Sequence, residues 1–180
     1  MNSINKQQSE DNFKNVFGAE ALEKIKLLSG KATSCFFCTK IKTGEPFSPR
    51  PMTPEKVDDE GNFWFLSAND SHKNLEIEED PAVQMLFQGS SYSDYLSLYG
   101  TAEISTDKAK IEELWNPMMK TWFTEGKDDR RITVIKVIPI EGYYWDTKHN
   151  MLIALAKRAY GAVVGKTIDD SIEGHIIPGN

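Results

Sequence analysis

Histidine and cysteine are scarce in this chain, and their scarcity closes off several kinds of chemistry. The three histidines, His72, His149 and His175, lie far apart, and none stands in an H-E-x-x-H or comparable spacing, so no dedicated metal site is expected. Cys35 and Cys38 have no second pair with which to complete a structural zinc site, and so few cysteines suit a reducing compartment. No serine sits in a G-x-S-x-G elbow, which leaves hydrolase chemistry without a nucleophile. Long apolar runs are missing too. The chain starts with the polar residues Asn2, Asn5, Lys6, Gln7 and Gln8, so neither a signal peptide nor a membrane span is read and the expected location is cytoplasmic. Basic charge is outweighed, 21 Lys and Arg against 27 Asp and Glu, and the net charge of -6 argues against a nucleic-acid backbone as the main partner.

What is present is one domain's worth of alternating apolar and aromatic segments. A chain of 180 residues buries roughly 70% of its unfolded surface and needs no staple. Residues 1–11 read as a flexible tail, 12–160 as the folded domain and 161–180 as a C-terminal extension that either docks or dangles. Phe13, Val16, Phe17, Leu22, Ile25 and Leu28 recur at helical spacing, with Gly18 as a possible interruption. Thr33–Thr39 reads as a buried strand. Its C-x-x-C pair is expected to be core thiols, because redox pairs usually open a helix whose dipole lowers a thiol pKa. Pro46, Pro49 and Pro51 each remove a ladder donor, so Phe47–Met52 should be an edge or irregular strand. Val83–Gln88 and the cleanly alternating Tyr95–Ile104 follow, then Ile132–Ile138, ended by Pro139, and Tyr143–Asp146. Caps at Ser105–Asp107 and a restart at Pro117 frame an apolar helical stripe of Ile111, Leu114, Trp115, Met118, Met119, Trp122 and Phe123. A helix is expected over Met151–Tyr160. Gly161–Thr167 has three residues between its glycines where a P-loop has four, and no apolar helix follows. Six strands with peripheral helices suggest a mainly β fold, an antiparallel barrel.

The stretch from Arg50 to Lys73 carries the clearest functional signal. Asn62–Ser67 reads as an aromatic strand, Ser71 as the N-cap of a short helix that Asp80-Pro81 stops, and Lys73 as a cation at that helix start. The unpaired amides there, with Lys73 and with Arg50 approaching from a neighbouring strand, would make an anion site. Ordinary capping of a surface helix explains the same residues. With aromatic surface but few acid–base groups, the inventory suits a planar phosphorylated cofactor that carries the chemistry itself.

The chain resembles the pyridoxamine 5'-phosphate oxidase-like FMN-binding split barrels, and within them the general stress protein 26 group. The likeness rests on Arg50-Pro51-Met52, Phe63-Trp64-Phe65-Leu66 with Ser71-x-Lys73, and Asp80-Pro81-Ala82-Val83. Tyr99-Gly100-Thr101-Ala102, Leu114-Trp115 through Trp122-Phe123 with Gly126-Lys127-Asp128-Asp129, and Tyr144-Trp145-Asp146 complete it. The resemblance implies a six-stranded antiparallel split β-barrel of Greek-key topology, and a homodimer holding two FMN molecules at its interface. It places Arg50, Lys73 and Ser71 on the FMN phosphate, with the backbone of Arg50, Pro51 and Met52 and of Leu66 and Ser67 against the ring. Gln88 would approach the cofactor from a strand end. Trp115 or Trp122 would approach it from the other subunit, unless they are packing residues. The expected role is an oxidoreductase moving electrons from a small donor such as NAD(P)H to an acceptor the sequence does not name, in a stress-related setting. The alternative is a non-catalytic flavin-binding or sensing module. The Arg-x-His substrate motif of true pyridoxamine phosphate oxidases is missing after Trp145, which argues against that specific activity.

Overall fold

The computed structural model describes residues 12–42, 44–91, 93–148 and 170–179. The helix expected over Met151–Tyr160 and the P-loop-like Gly161–Thr167 lie outside them. Among the described residues nine strands form one sheet: β1 (Val16–Phe17), β2 (Cys35–Thr39), β3 (Ser48–Met52), β4 (Lys56–Val57), β5 (Phe63–Ala68), β6 (Ala82–Gln88), β7 (Tyr95–Ser105), β8 (Ile132–Thr147) and β9 (Ser171–Ile177). The helices are α1 (Gly18–Lys31), α2 (His72–Glu79) and α3 (Lys108–Leu114), with short 3-10 turns at Pro117–Thr121 and Gly126–Asp128. The fold is thus mainly β with peripheral helices, as the sequence suggests, but with more strands than six.

The sheet is organised around β8, whose 16 residues do the work of the two separate strands expected on either side of Pro139. One edge pairs along its length with β7; on the other, Ile132–Val137 pairs with β5 and Gly142–Thr147 pairs with β9. The sheet therefore splits at mid-strand and does not close. Pro139 is tolerated because the β7–β8 register shifts there: Tyr99 faces Glu141 and Gly100 faces Pro139, leaving Ile140 as a bulge where a missing ladder donor costs little. Gly100 is the counterpart of this bulge. A Cβ on it would lie 2.4 Å from the Ile138 carbonyl oxygen, so the backbones approach more closely than any side chain allows.

Beyond β8 the order continues β7, β6, β2, β3, all antiparallel, which makes the proline-rich β3 an edge strand as expected. Strand β1 pairs parallel with β9, so the sheet is mixed. Residues 13–17 were expected to be helical. They instead follow β9, with Phe13 bridged to Glu173 and the Lys14 amide donating to the Glu173 carbonyl, and the helix begins at Gly18 (φ 52°). Of the segment read as an extension, Ser171–Ile177 docks as a full strand.

Strand alternation sends side chains to two cores. Phe63, Phe65, Ile135 and Val137 join Ile25 and Leu28 of α1, Phe37, Met85, Leu96 and Leu98 in the main one. The opposite face of the same two strands contributes Leu66, Ile132 and Val134 to a second cluster with Ile111, Leu114 and Phe123 from the α3 region. Strands β5 and β8 are therefore covered on both faces, and the second layer forms a wall over the C-terminal part of β5.

Candidate functional site

The short helix α2 is held to the sheet by a buried polar network. Ser67 Oγ donates to Asn74 Oδ1 (2.7 Å), Asn74 Nδ2 donates to Thr133 Oγ1 (2.8 Å), and Thr133 Oγ1 donates to the Ser67 carbonyl (3.0 Å). Ser71, the N-cap, accepts from the Asn74 amide and donates to Asn74 Oδ1 (3.0 Å). Asn74 is 1% exposed and Thr133 is 3% exposed, so this satisfied network fixes the start of α2 against β5 and β8 in one orientation. Sequence reasoning finds Ser71 but not Asn74 or Thr133. A helix asparagine and a strand threonine fifty-nine positions apart carry no local sign that they meet.

Two cations gather where α2 meets the edge strand. Arg50, on β3 opposite Phe37, donates from Nη2 to Glu76 Oε2 of α2 at 2.6 Å. Thr39 Oγ1 also donates to that oxygen, and Lys40 Nζ lies 4.0 Å from Oε1. Burial opposes a charge on Glu76, yet the Thr39 hydroxyl and the Arg50 guanidinium hold its carboxyl below the ordinary glutamate range. The other guanidinium nitrogen, Arg50 Nη1, is buried without a hydrogen-bond partner among the described residues. Lys73 Nζ has Ser71 Oγ at 3.3 Å and no carboxylate within ion-pair distance among the described residues. Burial and then the neighbouring Arg50 charge push the Lys73 ammonium below the usual lysine range, with Asp70 opposing. An arginine with an orphaned donor beside a destabilised lysine is an arrangement that an anion would relieve.

A cavity of about 590 Å³ opens beside this corner. Of the residues expected at a site, Pro51, Met52, Leu66, Ser67, Lys73 and Trp122 line it. Arg50 and Ser71 are not in the lining, but both neighbour Lys73, which is: its Nζ donates to Ser71 Oγ, and its pKa is lowered by burial and then by the Arg50 charge. The expected residues Gln88 and Trp115 lie elsewhere. Gln88 Nε2 donates to the Ser90 carbonyl (3.1 Å) and to Tyr95 Oη (3.3 Å) on the exposed face of the sheet. Trp115 packs on the second cluster, with its ring tilted 6.5 Å from that of Phe123.

Sequence reasoning misses the rest of the lining. The 3-10 turn after Asn116 presents Met118 and Met119, and Arg131 reaches the Ala68 end of β5, where the Asn69 amide donates to the Arg131 carbonyl. Arg131 is itself clamped, donating from Nε and Nη2 to Asp129 (3.1 and 2.8 Å) and from Nη2 to the Trp122 carbonyl (3.2 Å). Its position at the end of a charged loop just before a β-branched strand is the only local signal.

The C-x-x-C pair is a core feature, as expected. Both thiols are free and buried on β2, and burial, reinforced by Cys38, pushes Cys35 up to about 12. Burial also raises Cys38, with Arg50 opposing. Thiols kept protonated in this way are poor nucleophiles.

Residues 20–169 match the model of the family described as pyridoxamine 5'-phosphate oxidase like. The chain belongs to that family. Protein bli-3 of Neurospora crassa is 29% identical over 113 residues, which is 58% of this chain and 54% of that protein, so the chain spans about half the length of this curated relative. Among solved structures, one described as general stress protein 26 from Jannaschia sp. CCS1 matches with a TM-score of 0.73 at 23% identity, covering 88% of this chain and 99% of its own. A general stress FMN/FAD binding protein from Xanthomonas citri matches with a TM-score of 0.55 at 21% identity, covering 68% and 84%. At these identities the structural matches establish the split-barrel fold. Among the described residues no cluster of three metal-binding side chains occurs, and no helix is long and apolar enough to cross a membrane.

Proposed function

We propose that the chain binds FMN, with its phosphate at Arg50, Ser71 and Lys73 and its ring over Pro51, Met52, Leu66 and Ser67. The observation that carries this reading is the orphaned Arg50 Nη1 beside Lys73, a buried donor without a hydrogen-bond partner and a half-buried ammonium with no carboxylate within ion-pair distance among the described residues. Family membership and the flavin-binding relative from Xanthomonas citri support it. A single anion corner favours a mononucleotide, since a second phosphate would need cations of its own. Met52, Leu66, Met119 and Trp122 supply apolar and aromatic walls of the kind a planar ring requires. When bound, the flavin supplies the electron-transfer chemistry, and the chain's residues bind and orient it.

The functional form in this reading is a homodimer, and a broad apolar face supports it. One cross-strand row runs Pro51, Phe36, Leu86, Ser97, Tyr143, His175, and the Trp145 ring packs tilted against that of Tyr143 with centroids 4.7 Å apart. Phe36 is 56% exposed and Trp145 is 44% exposed in the single chain, a large apolar display for a monomer. Gln88 lies on the same face, so it would reach a flavin only across such an interface. The activity assigned is an oxidoreductase accepting electrons from a small donor such as NAD(P)H in the cytoplasm, in a stress-related setting. A flavin carrier or sensor without turnover is the alternative. The test compares the affinity of FMN with that of riboflavin, which lacks the phosphate. FMN is expected to bind at least roughly tenfold tighter, the worth of hydrogen bonds to a charged group. Equal affinities would remove the phosphate from Arg50 and Lys73, and stopped-flow reduction by NAD(P)H would separate the enzyme from the carrier.

A further inference from the structure

The cavity has a second polar end, and its chemistry is the reverse of the first. Glu55 precedes β4, and its amide donates to the Trp64 carbonyl (2.8 Å), so it sits at the start of β5, whereas Lys73 and Arg131 sit near Ser67 and Ala68. Three residue steps along the strand, at ~3.4 Å each, separate the two ends by roughly 10 Å. Among the described residues Glu55 is the only carboxylate in the lining, it is half-buried, and no cation lies within ion-pair distance of it. One of its oxygens is fixed: Asn116 Nδ2 donates to Oε2 at 2.8 Å. A second hydrogen bond holds the Asn116 amide in this orientation: its Oδ1 accepts from the Met118 amide (3.0 Å) and caps the turn that carries Met118 and Met119. The remaining oxygen, Oε1, accepts from none of the described residues.

We infer that Glu55, positioned by Asn116, is a hydrogen-bond acceptor that reads an N–H group on the ligand end furthest from the phosphate. Met118 and Trp122 are themselves exposed, so the free oxygen of the half-buried Glu55 is open to water; a ligand that covers it displaces that water and must donate to Oε1 or leave a charged oxygen unpaired. Burial raises the Glu55 pKa, against the opposing hydrogen bond from Asn116. Two ligands offer the matching chemistry: the imide edge of the flavin ring, and the carboxamide of a nicotinamide donor. The inference rests on the flavin reading above, because the cations define which end of the ligand is left for Glu55.

Glu55→Gln is the decisive variant. The Asn116 amide would hold the new carbonyl oxygen, so the new amide nitrogen would replace Oε1 and present a donor to a donor. Binding of FMN and of N3-methyl-FMN is measured on wild type and on the variant by flavin fluorescence, with thermal melting to establish that the variant folds. Binding of oxidised NAD and of its 3-acetylpyridine analogue, which has no amide N–H, is measured on the flavin-loaded protein. If Glu55 reads the imide, wild type prefers FMN over its N3-methyl form by roughly tenfold or more, and Glu55→Gln erases that preference. If it reads the nicotinamide carboxamide, FMN affinity is unmoved and the preference for NAD over its analogue is what disappears. A folded Glu55→Gln protein that keeps both preferences overturns the inference while leaving the phosphate site intact. Wild-type protein that binds no FMN overturns the flavin reading, and this inference falls with it.

Discussion

Replacing Lys73 with methionine should make the ligand-free protein more stable and the flavin complex weaker. The two effects have one origin. In the folded chain Lys73 loses hydration, sits beside the Arg50 guanidinium and gains only a 3.3 Å hydrogen bond from its ammonium to Ser71 Oγ. Its folded pKa is therefore depressed from the ordinary 10.5. For a base this means a cost that is fully present at neutral pH and vanishes only as pH rises through the depressed value towards 10.5. Methionine keeps the stem and removes that cost, for a gain of about 0.5–1 kcal/mol and a Tm increase of roughly 1–4 °C. The same change removes a charged donor from the phosphate, which should cost FMN about 1.5–3 kcal/mol, or roughly 10- to 150-fold in Kd. Melting at pH 7 and at pH 10 with FMN and riboflavin titrations checks both halves. The Tm gain should shrink at the higher pH, and riboflavin affinity should stay at the wild-type level. A destabilised Lys73→Met protein, or one that loses FMN and riboflavin affinity equally, would refute the reasoning.

Other residues give sharper contrasts. Arg50→Ala should weaken FMN by about 1.5–3 kcal/mol but also destabilise the protein, because it strands the Glu76 carboxylate; adding Glu76→Gln should recover the melting temperature without recovering affinity. Glu76 has a depressed pKa, so its contribution to stability is present above the ordinary value of 4.5 and is lost as pH falls through the lower folded value; an acid titration followed by circular dichroism should show that loss in wild type and not in Glu76→Gln. Asn74→Ala should cost roughly 1–3 kcal/mol by leaving Ser67 and Thr133 partly unsatisfied, measured by urea denaturation. Gly100→Ala should cost about 1–3 kcal/mol through the clash with the Ile138 carbonyl, and an unchanged urea midpoint would contradict the close approach of β7 to β8.

The parts of this fold that were legible in the sequence are those whose cause is local. Ser71 caps α2, Tyr95–Ser105 alternates along its length, and the prolines confine Ser48–Met52 to an edge. What was not legible depends on partners distant in the chain. Pro139 reads as a strand end until Gly100 is seen to place a bulge opposite it. Residues 13–17 carry helical spacing, and only the docking of Ser171–Ile177 makes them extended. The site divides in the same way. Arg50, Ser71 and Lys73 could be read from a strand, a cap and a charge, whereas Glu76, Arg131 and the Glu55–Asn116 pair enter through tertiary contacts that no spacing encodes.

The visible absorption spectrum of the freshly purified protein, taken before and after adding FMN and passing it through a desalting column, tests the central claim most directly. The account predicts a flavin band that survives the column at about one flavin per chain and disappears in Arg50→Ala/Lys73→Met. A wild-type protein that emerges colourless from the column would contradict it.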